Sequence, residues 1–128
     1  MSLYSEPIFN YETPVYICKK LPSTQDEYMN EVENYDKPNE RPFLWNVQPA
    51  TADSEVREFG QLANSMRVAT ISKSLFNGKF KEFDKVYIEN KPSSNESFYG
   101  ENADYRVYSI RPQNACIRIY FLKLVKNQ

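Results

Sequence analysis

The carboxy-terminal stretch constrains the fold most. Residues 104–111 and 115–125 are two long runs with a period of two, separated by Pro112, Gln113 and Asn114. In the first, Tyr105, Val107 and Ser109 oppose Arg106, Tyr108 and Ile110; in the second, Ala115, Ile117, Ile119 and Phe121 oppose Cys116, Arg118 and Tyr120. A period of two is that of a strand, and the intervening residues suit a hairpin turn. One face of this hairpin is apolar and the other aromatic and basic. A lone hairpin is marginal in water, so the apolar face requires more strands to cover it.

The rest of the chain supplies them. Ten Tyr, eight Phe and one Trp, with only three Gly, favour a strand scaffold. Residues 66–72 alternate Met66, Val68 and Thr70 against Arg67, Ala69 and Ile71, and 86–89 form a further strand after an Asn77-Gly78 turn. Residues 43–47 place Phe43, Trp45 and Val47 on one face and Leu44 on the other, with Gln48-Pro49 as a stop. Pro14 opens a strand over residues 15–20, which Leu21-Pro22-Ser23 breaks. The acidic segment that follows suits either a helical turn, through Tyr28, Val32 and Tyr35, or a weakly paired hairpin arm. Residues 91–102 read as a long surface loop with few reasons to be rigid. These elements predict a mainly β domain: a small antiparallel β-barrel or sandwich of six to seven strands with one short helical insertion. At 128 residues it is a single domain spanning 14–128, preceded by an extended arm, 1–13, whose Tyr4, Phe9 and Tyr11 need a surface to lie on.

The insertion is residues 50–65. Thr51 or Asp53 suits its N-cap, Glu55 its first turn, and Gly60 its C-terminal cap, while Val56 and Phe59 give a narrow apolar seam.

Charge and chemistry narrow the function. Sixteen basic against 17 acidic side chains argue against binding nucleic acid or anionic membrane by bulk attraction. The charge is polarised, however: Asp26, Glu27, Glu31, Glu33, Asp36 and Glu40 in the acidic segment, and Arg106, Arg111, Arg118, Lys123 and Lys126 near the end. Cys18 and Cys116 fit buried thiols in a reducing compartment, and no run approaches a membrane span. There is no histidine, and no nucleophile, phosphate-loop or dinucleotide motif, so neither catalysis nor a metal or other cofactor is expected. Tyr105, Arg106, Tyr108, Arg111, Arg118 and Tyr120 compose either a protein interface or a stacking platform for single-stranded nucleic acid.

The order of elements resembles that of the head-closure (stopper) and head-tail joining proteins of tailed bacteriophages. The residues that carry the resemblance are Val47, Gln48 and Pro49, then Asp53 to Phe59, Met66 to Ile71, Phe80 to Ile88 and Tyr105 to Leu124. The resemblance implies a non-enzymatic neck protein of the virion, made in the host cytoplasm, that forms a homo-oligomeric ring of about six copies. Such a ring joins the portal or adaptor ring on the head side to the tail terminator or tail tube, and double-stranded DNA passes through it without specific contact. Carried over, the insertion becomes the channel element, with Asp53, Glu55, Glu58 and Gln61 facing the DNA path, where acidic groups repel phosphate. Subunit or partner contacts then fall to Tyr4, Phe9, Tyr11, Glu31, Glu33, Tyr105, Arg106, Tyr108 and Arg118. Two alternatives stand beside this: a tail terminator or other neck or tail ring, and a single-stranded nucleic-acid-binding barrel.

Overall fold

The computed structural model describes residues 13–73 and 81–125. The arm with Tyr4, Phe9 and Tyr11, and the Asn77-Gly78 turn, lie outside the described residues. Strands β1 (Thr13–Cys18), β2 (Lys20–Gln25), β3 (Glu31–Tyr35) and β4 (Phe43–Pro49) are followed by helix α1 (Asp53–Phe59) and a 3-10 turn, η1 (Gly60–Ser65). Then come β5 (Met66–Ser72), β6 (Lys85–Tyr87), β7 (Tyr105–Pro112) and β8 (Cys116–Lys123). Six strands close into a barrel in the order β1-β4-β5-β8-β7-β6, every pairing antiparallel, while β2 and β3 form a separate hairpin. The expected β-barrel with one short helical insertion is thus the fold; it is a barrel and not a sandwich.

Alternation fills the barrel. Val15, Ile17, Trp45, Ala69, Ile71, Val107, Ile117, Ile119 and Phe121 form one cluster, in which Trp45 stacks on Phe43 and Phe121 with centroids 5.1 and 6.4 Å away. β5 is buried on both sides: Ala69 and Ile71 join this cluster, while Met66 and Val68 form a second one with Ala50 and Tyr120, against which Phe59 packs. The second cluster is the seat of the helical insertion.

Closure needs help from side chains, because β6 is only three residues long. The buried Asp84 accepts from the backbone N–H groups of Lys20 and Lys81, and the buried Asp104 from those of Ile88 and Glu89. These carboxylates continue the hydrogen bonding where the ladder stops, so the burial of each charge is compensated. Asn39 does the same on β1, where its Oδ1 accepts from Ile17 N–H at 2.8 Å.

Several expectations are corrected. Pro22 does not break its strand; β2 continues through it with a shift in register between Leu21 and Thr24, the kind of irregularity at which proline is tolerated. Of the two readings left open for the acidic segment, the structure has the hairpin, β2–β3. β4 runs on to Pro49, paired with Arg67, since Pro49 lies at the last rung. β7 shifts register between Val107 and Ser109. That extra residue reverses the alternation, and Ile110 packs against the same interior cluster as Val107 instead of facing outward with Tyr108.

Candidate assembly surfaces

Three features stand on the outside of the barrel: the insertion, the hairpin and the 91–102 loop. The insertion begins where Ala50, fully buried, donates its N–H to the carbonyl of Met66 and fixes the exit from β4. The N-cap is Ala52, neither Thr51 nor Asp53. Alanine has no side-chain acceptor, so the reciprocal half of a capping box is missing; Glu55 supplies the other half by accepting Ala52 N–H at 3.1 Å. Gly60 does cap the helix, with φ of 59°, and its N–H bonds to the carbonyl of Val56.

Glu55 is the centre of the clamp. It is 4% exposed, and its second oxygen accepts from Arg118 Nη2 at 3.1 Å. Arg111 grips Glu58 with both terminal nitrogens, holding that carboxyl below its ordinary pKa by a direct hydrogen bond. Phe59 sits edge-on to Tyr108 and tilted over Tyr120, with centroids 6.0 and 5.0 Å away, and the Arg111 guanidinium lies 5.1 Å from the Phe59 ring. Burial, followed by the nearby Glu55, raises the pKa of the Tyr120 hydroxyl. The helix therefore lies flat on the β7–β8 face. Among the expected channel residues, Asp53, Glu58 and Gln61 remain exposed, but Glu55 points into the barrel wall and lines no open space. Val56 is also displaced from its expected seam and is largely exposed; Phe59 alone makes the apolar contact.

The same geometry revises the aromatic-basic face. Tyr105 is 3% exposed and belongs to the barrel interior, so it is no interface residue. Arg118 is engaged by Glu55, Arg111 by Glu58, and Tyr120 is buried under Phe59. The stacking platform is already occupied by the protein's own helix. Arg106 and Tyr108 stay half-exposed, the guanidinium 5.4 Å from the Tyr108 ring. Lys123 lies 4.0 Å from Glu89, which also pairs with Arg67, so Arg111 and Arg118 are the cations of this hairpin matched by a carboxylate of their own among the described residues.

The hairpin behaves differently, since every residue from 21 to 33 is exposed. Glu33 pairs with Lys20 across its base at 3.7 Å, and Glu31 is open to solvent. At the tip, the Asp26 carboxylate accepts from Tyr28 and Asn30 N–H, each at 2.9 Å, and Asn30 returns its carbonyl to Asp26 N–H.

The 91–102 loop is more ordered than its composition suggests. Glu96 accepts from the Tyr87 hydroxyl and from the N–H groups of Ser93 and Asn102, while Gly100 N–H donates to the Tyr87 oxygen. Burial raises the Glu96 pKa, but these donors together outweigh it and hold the carboxyl below its ordinary value. Burial and the Glu96 hydrogen bond push the Tyr87 hydroxyl far up. No motif announced this arrangement; the only sequence signal was one glutamate in a polar loop beside a tyrosine in a strand. Between the loop and the base of the hairpin lies a groove of about 720 Å³, with Tyr35, Pro38, Phe98 and Tyr99 among its lining residues. Burial, with Glu33 next, pushes the Tyr35 hydroxyl up to about 12.

No protein-family model matches the chain, and no curated protein matches it. Among solved structures, the chain is similar to the solution structure of protein SF1141 from Shigella flexneri 2a, a structural-genomics target. The TM-score is 0.62 at 10% identity, covering 95% of this chain and 100% of the other. At that identity the likeness concerns the fold alone.

Proposed function

We propose that this chain is a ring-forming structural protein of a tailed-phage neck, of the head-closure or head-tail joining kind, acting by contact and not by reaction. The observation that carries the reading is the helical insertion between two paired strands of a closed barrel, clamped to the wall by Arg118–Glu55 and Arg111–Glu58. A closed barrel has no free edge through which to add strands, so assembly falls to its appendages. A clamped insertion presents Asp53, Glu58 and Gln61 as a fixed polar surface, which suits the wall of a passage for DNA better than a flexible loop does. In this reading the partners are further copies of the chain, a portal or adaptor ring above and a tail terminator or tail tube below, and the place is the virion neck. The nucleic-acid-binding alternative loses its main support, because Tyr105 faces the barrel interior and Tyr108, Arg111, Arg118 and Tyr120 contact the helix.

Imaging of purified virions tests the proposal. The barrel should fit density as a ring at the head-tail junction, and particles assembled without the protein should lose their packaged DNA. DNA-filled, tailed particles that assemble normally without it, with no barrel density at the neck, would refute the reading.

A further inference from the structure

Phe83 puts a large ring where a turn wants glycine. It stands third in the turn over residues 81–84, which the Asp84 N–H closes on the carbonyl of Lys81, and its φ is 76°. A turn with positive φ at that position takes glycine or asparagine, and a bulky residue there is strained. The surroundings hold the strain in place: the Phe83 N–H and the Asp84 carbonyl both bond to the Val107 backbone, and the Asp84 carboxylate accepts from the N–H groups of Lys20 and Lys81. What the turn presents is a ring 54% exposed, with Lys20 Nζ 5.6 Å and the Arg106 guanidinium 5.4 Å from its centroid. Strain maintained in this way around an exposed ring points to a ligand.

The cations beside it are a second, independent observation. Lys85 and Arg106 are direct partners across the antiparallel β6–β7 ladder, and like charges so placed repel. Neither has an ion-pair partner among the described residues. Lys85 Nζ lies 4.7 and 5.8 Å from the centroids of Tyr35 and Phe98, and the Arg106 guanidinium 5.4 Å from those of Phe83 and Tyr108. Both cations line a recess of about 300 Å³ together with Lys20, Glu33, Tyr35 and Phe83. Glu33 is the carboxylate of that lining, and it pairs with Lys20 at 3.7 Å; Asp84 is buried and bridges neither Lys85 nor Arg106. Lys85 and Arg106 are therefore left without a carboxylate of their own, in a small recess that also holds two aromatic rings.

A phosphate monoester carries close to two negative charges near neutral pH and offers several acceptor oxygens, so it matches two adjacent cations better than a single carboxylate does. A flat ring half open to water takes a base by stacking, and the volume of the recess lies at the lower end for small-molecule sites. We propose that this recess binds a nucleotide, with its terminal phosphate between Lys85 and Arg106 and its base on Phe83. A free nucleoside monophosphate and the phosphorylated end of a nucleic-acid strand present the same chemistry to it. This inference goes beyond the neck reading and stands or falls without it.

Titration of the purified protein with adenosine monophosphate, followed by the backbone amide resonances of Phe83, Lys85 and Arg106, tests it. Adenosine monophosphate should bind about ten-fold tighter than either adenosine or inorganic phosphate, each of which uses only part of the site, and Lys85→Gln and Arg106→Gln should each weaken it about ten-fold. Phe83→Gly should reduce the affinity to that of inorganic phosphate. Loss of binding is separated from loss of the fold by thermal melting: Lys85→Gln removes one of two opposed like charges and Phe83→Gly relieves the turn, so both should melt close to the parent temperature. A short single strand phosphorylated at one end, set against the same strand without the phosphate, distinguishes the two sources. Binding of the phosphorylated strand alone identifies a strand end, and binding of neither identifies the free nucleotide. Absence of shifts with millimolar adenosine monophosphate, equal affinity for inorganic phosphate, parent-like binding by Lys85→Gln, or tighter binding of a phosphotyrosine peptide would each overturn the proposal, whereas the virion experiment addresses only the neck reading.

Discussion

At the scale of single residues, Glu55 and Glu58 show how neighbouring carboxylates in one short helix acquire different roles. Glu55 is buried and accepts from both Arg118 and the Ala52 N–H; Glu58 is solvent-exposed and meets Arg111 at the rim. Removing one partner of a buried pair leaves an uncompensated charge, so Arg118→Ala should cost about 2–4 kcal/mol in urea unfolding, somewhat less than a fully buried pair because Arg118 itself is partly exposed. Glu58→Gln should leave the midpoint unchanged. Glu96 gives a pH prediction. Its folded pKa lies below the ordinary value of 4.5, so its contribution is present above that pH and is lost as pH falls through the folded value. Acid unfolding monitored from pH 7 downward should therefore show a steeper loss below about 4.5 in the parent than in Glu96→Gln. The mutant should also exchange the Ser93 and Asn102 amides faster at pH 7. Neither role was visible in the chain order: Glu55 and Arg118 lie 63 positions apart, and the bond between them exists only after β8 is placed beneath α1.

At the scale of elements, the hairpin and the insertion contrast. α1 and η1 cover a second apolar cluster and belong to the barrel's packing, whereas residues 21–33 are all exposed and join neither core cluster. Replacing 21–33 by a short glycine-containing turn should leave the circular dichroism of the barrel intact and the melting temperature within about 4 °C, the shift that roughly 1 kcal/mol produces in a domain of this size. A collapse of the fold would show that the hairpin supports the barrel. The strands themselves were legible, because half-buried strands write their period into the sequence. β5 was read over its full extent, and β8 to within two residues of each end. The misreadings were local: the shift in β7 that returns Ile110 to the core has no composition signal, and the passage of β2 through Pro22 depends on an irregularity at an exposed hairpin.

At the scale of the whole molecule, the barrel closes through β6, three residues supplemented by Asp84 and Asp104, and the insertion, the hairpin and the 91–102 loop stand outside it. The sequence by itself determined the mainly β class, the position of the helical insertion and the acidic character of the hairpin, because apolar period, turn residues and charge runs are properties of neighbours along the chain. Only the tertiary structure decided that the sheet closes, that Tyr105 faces inward, and that the aromatic-basic face of β7 and β8 is covered by the protein's own helix. It also decided that a polar loop is tied down by Glu96 and forms one wall of a groove. Each of these rests on contacts between residues far apart in the chain, whose energies come from burial and hydrogen bonding that no local pattern encodes. The stretch that reads locally as a free acidic helix is, in the fold, clamped at Glu55 and open at Asp53, because register around the barrel, and not the helix itself, set which of its carboxylates meets Arg118.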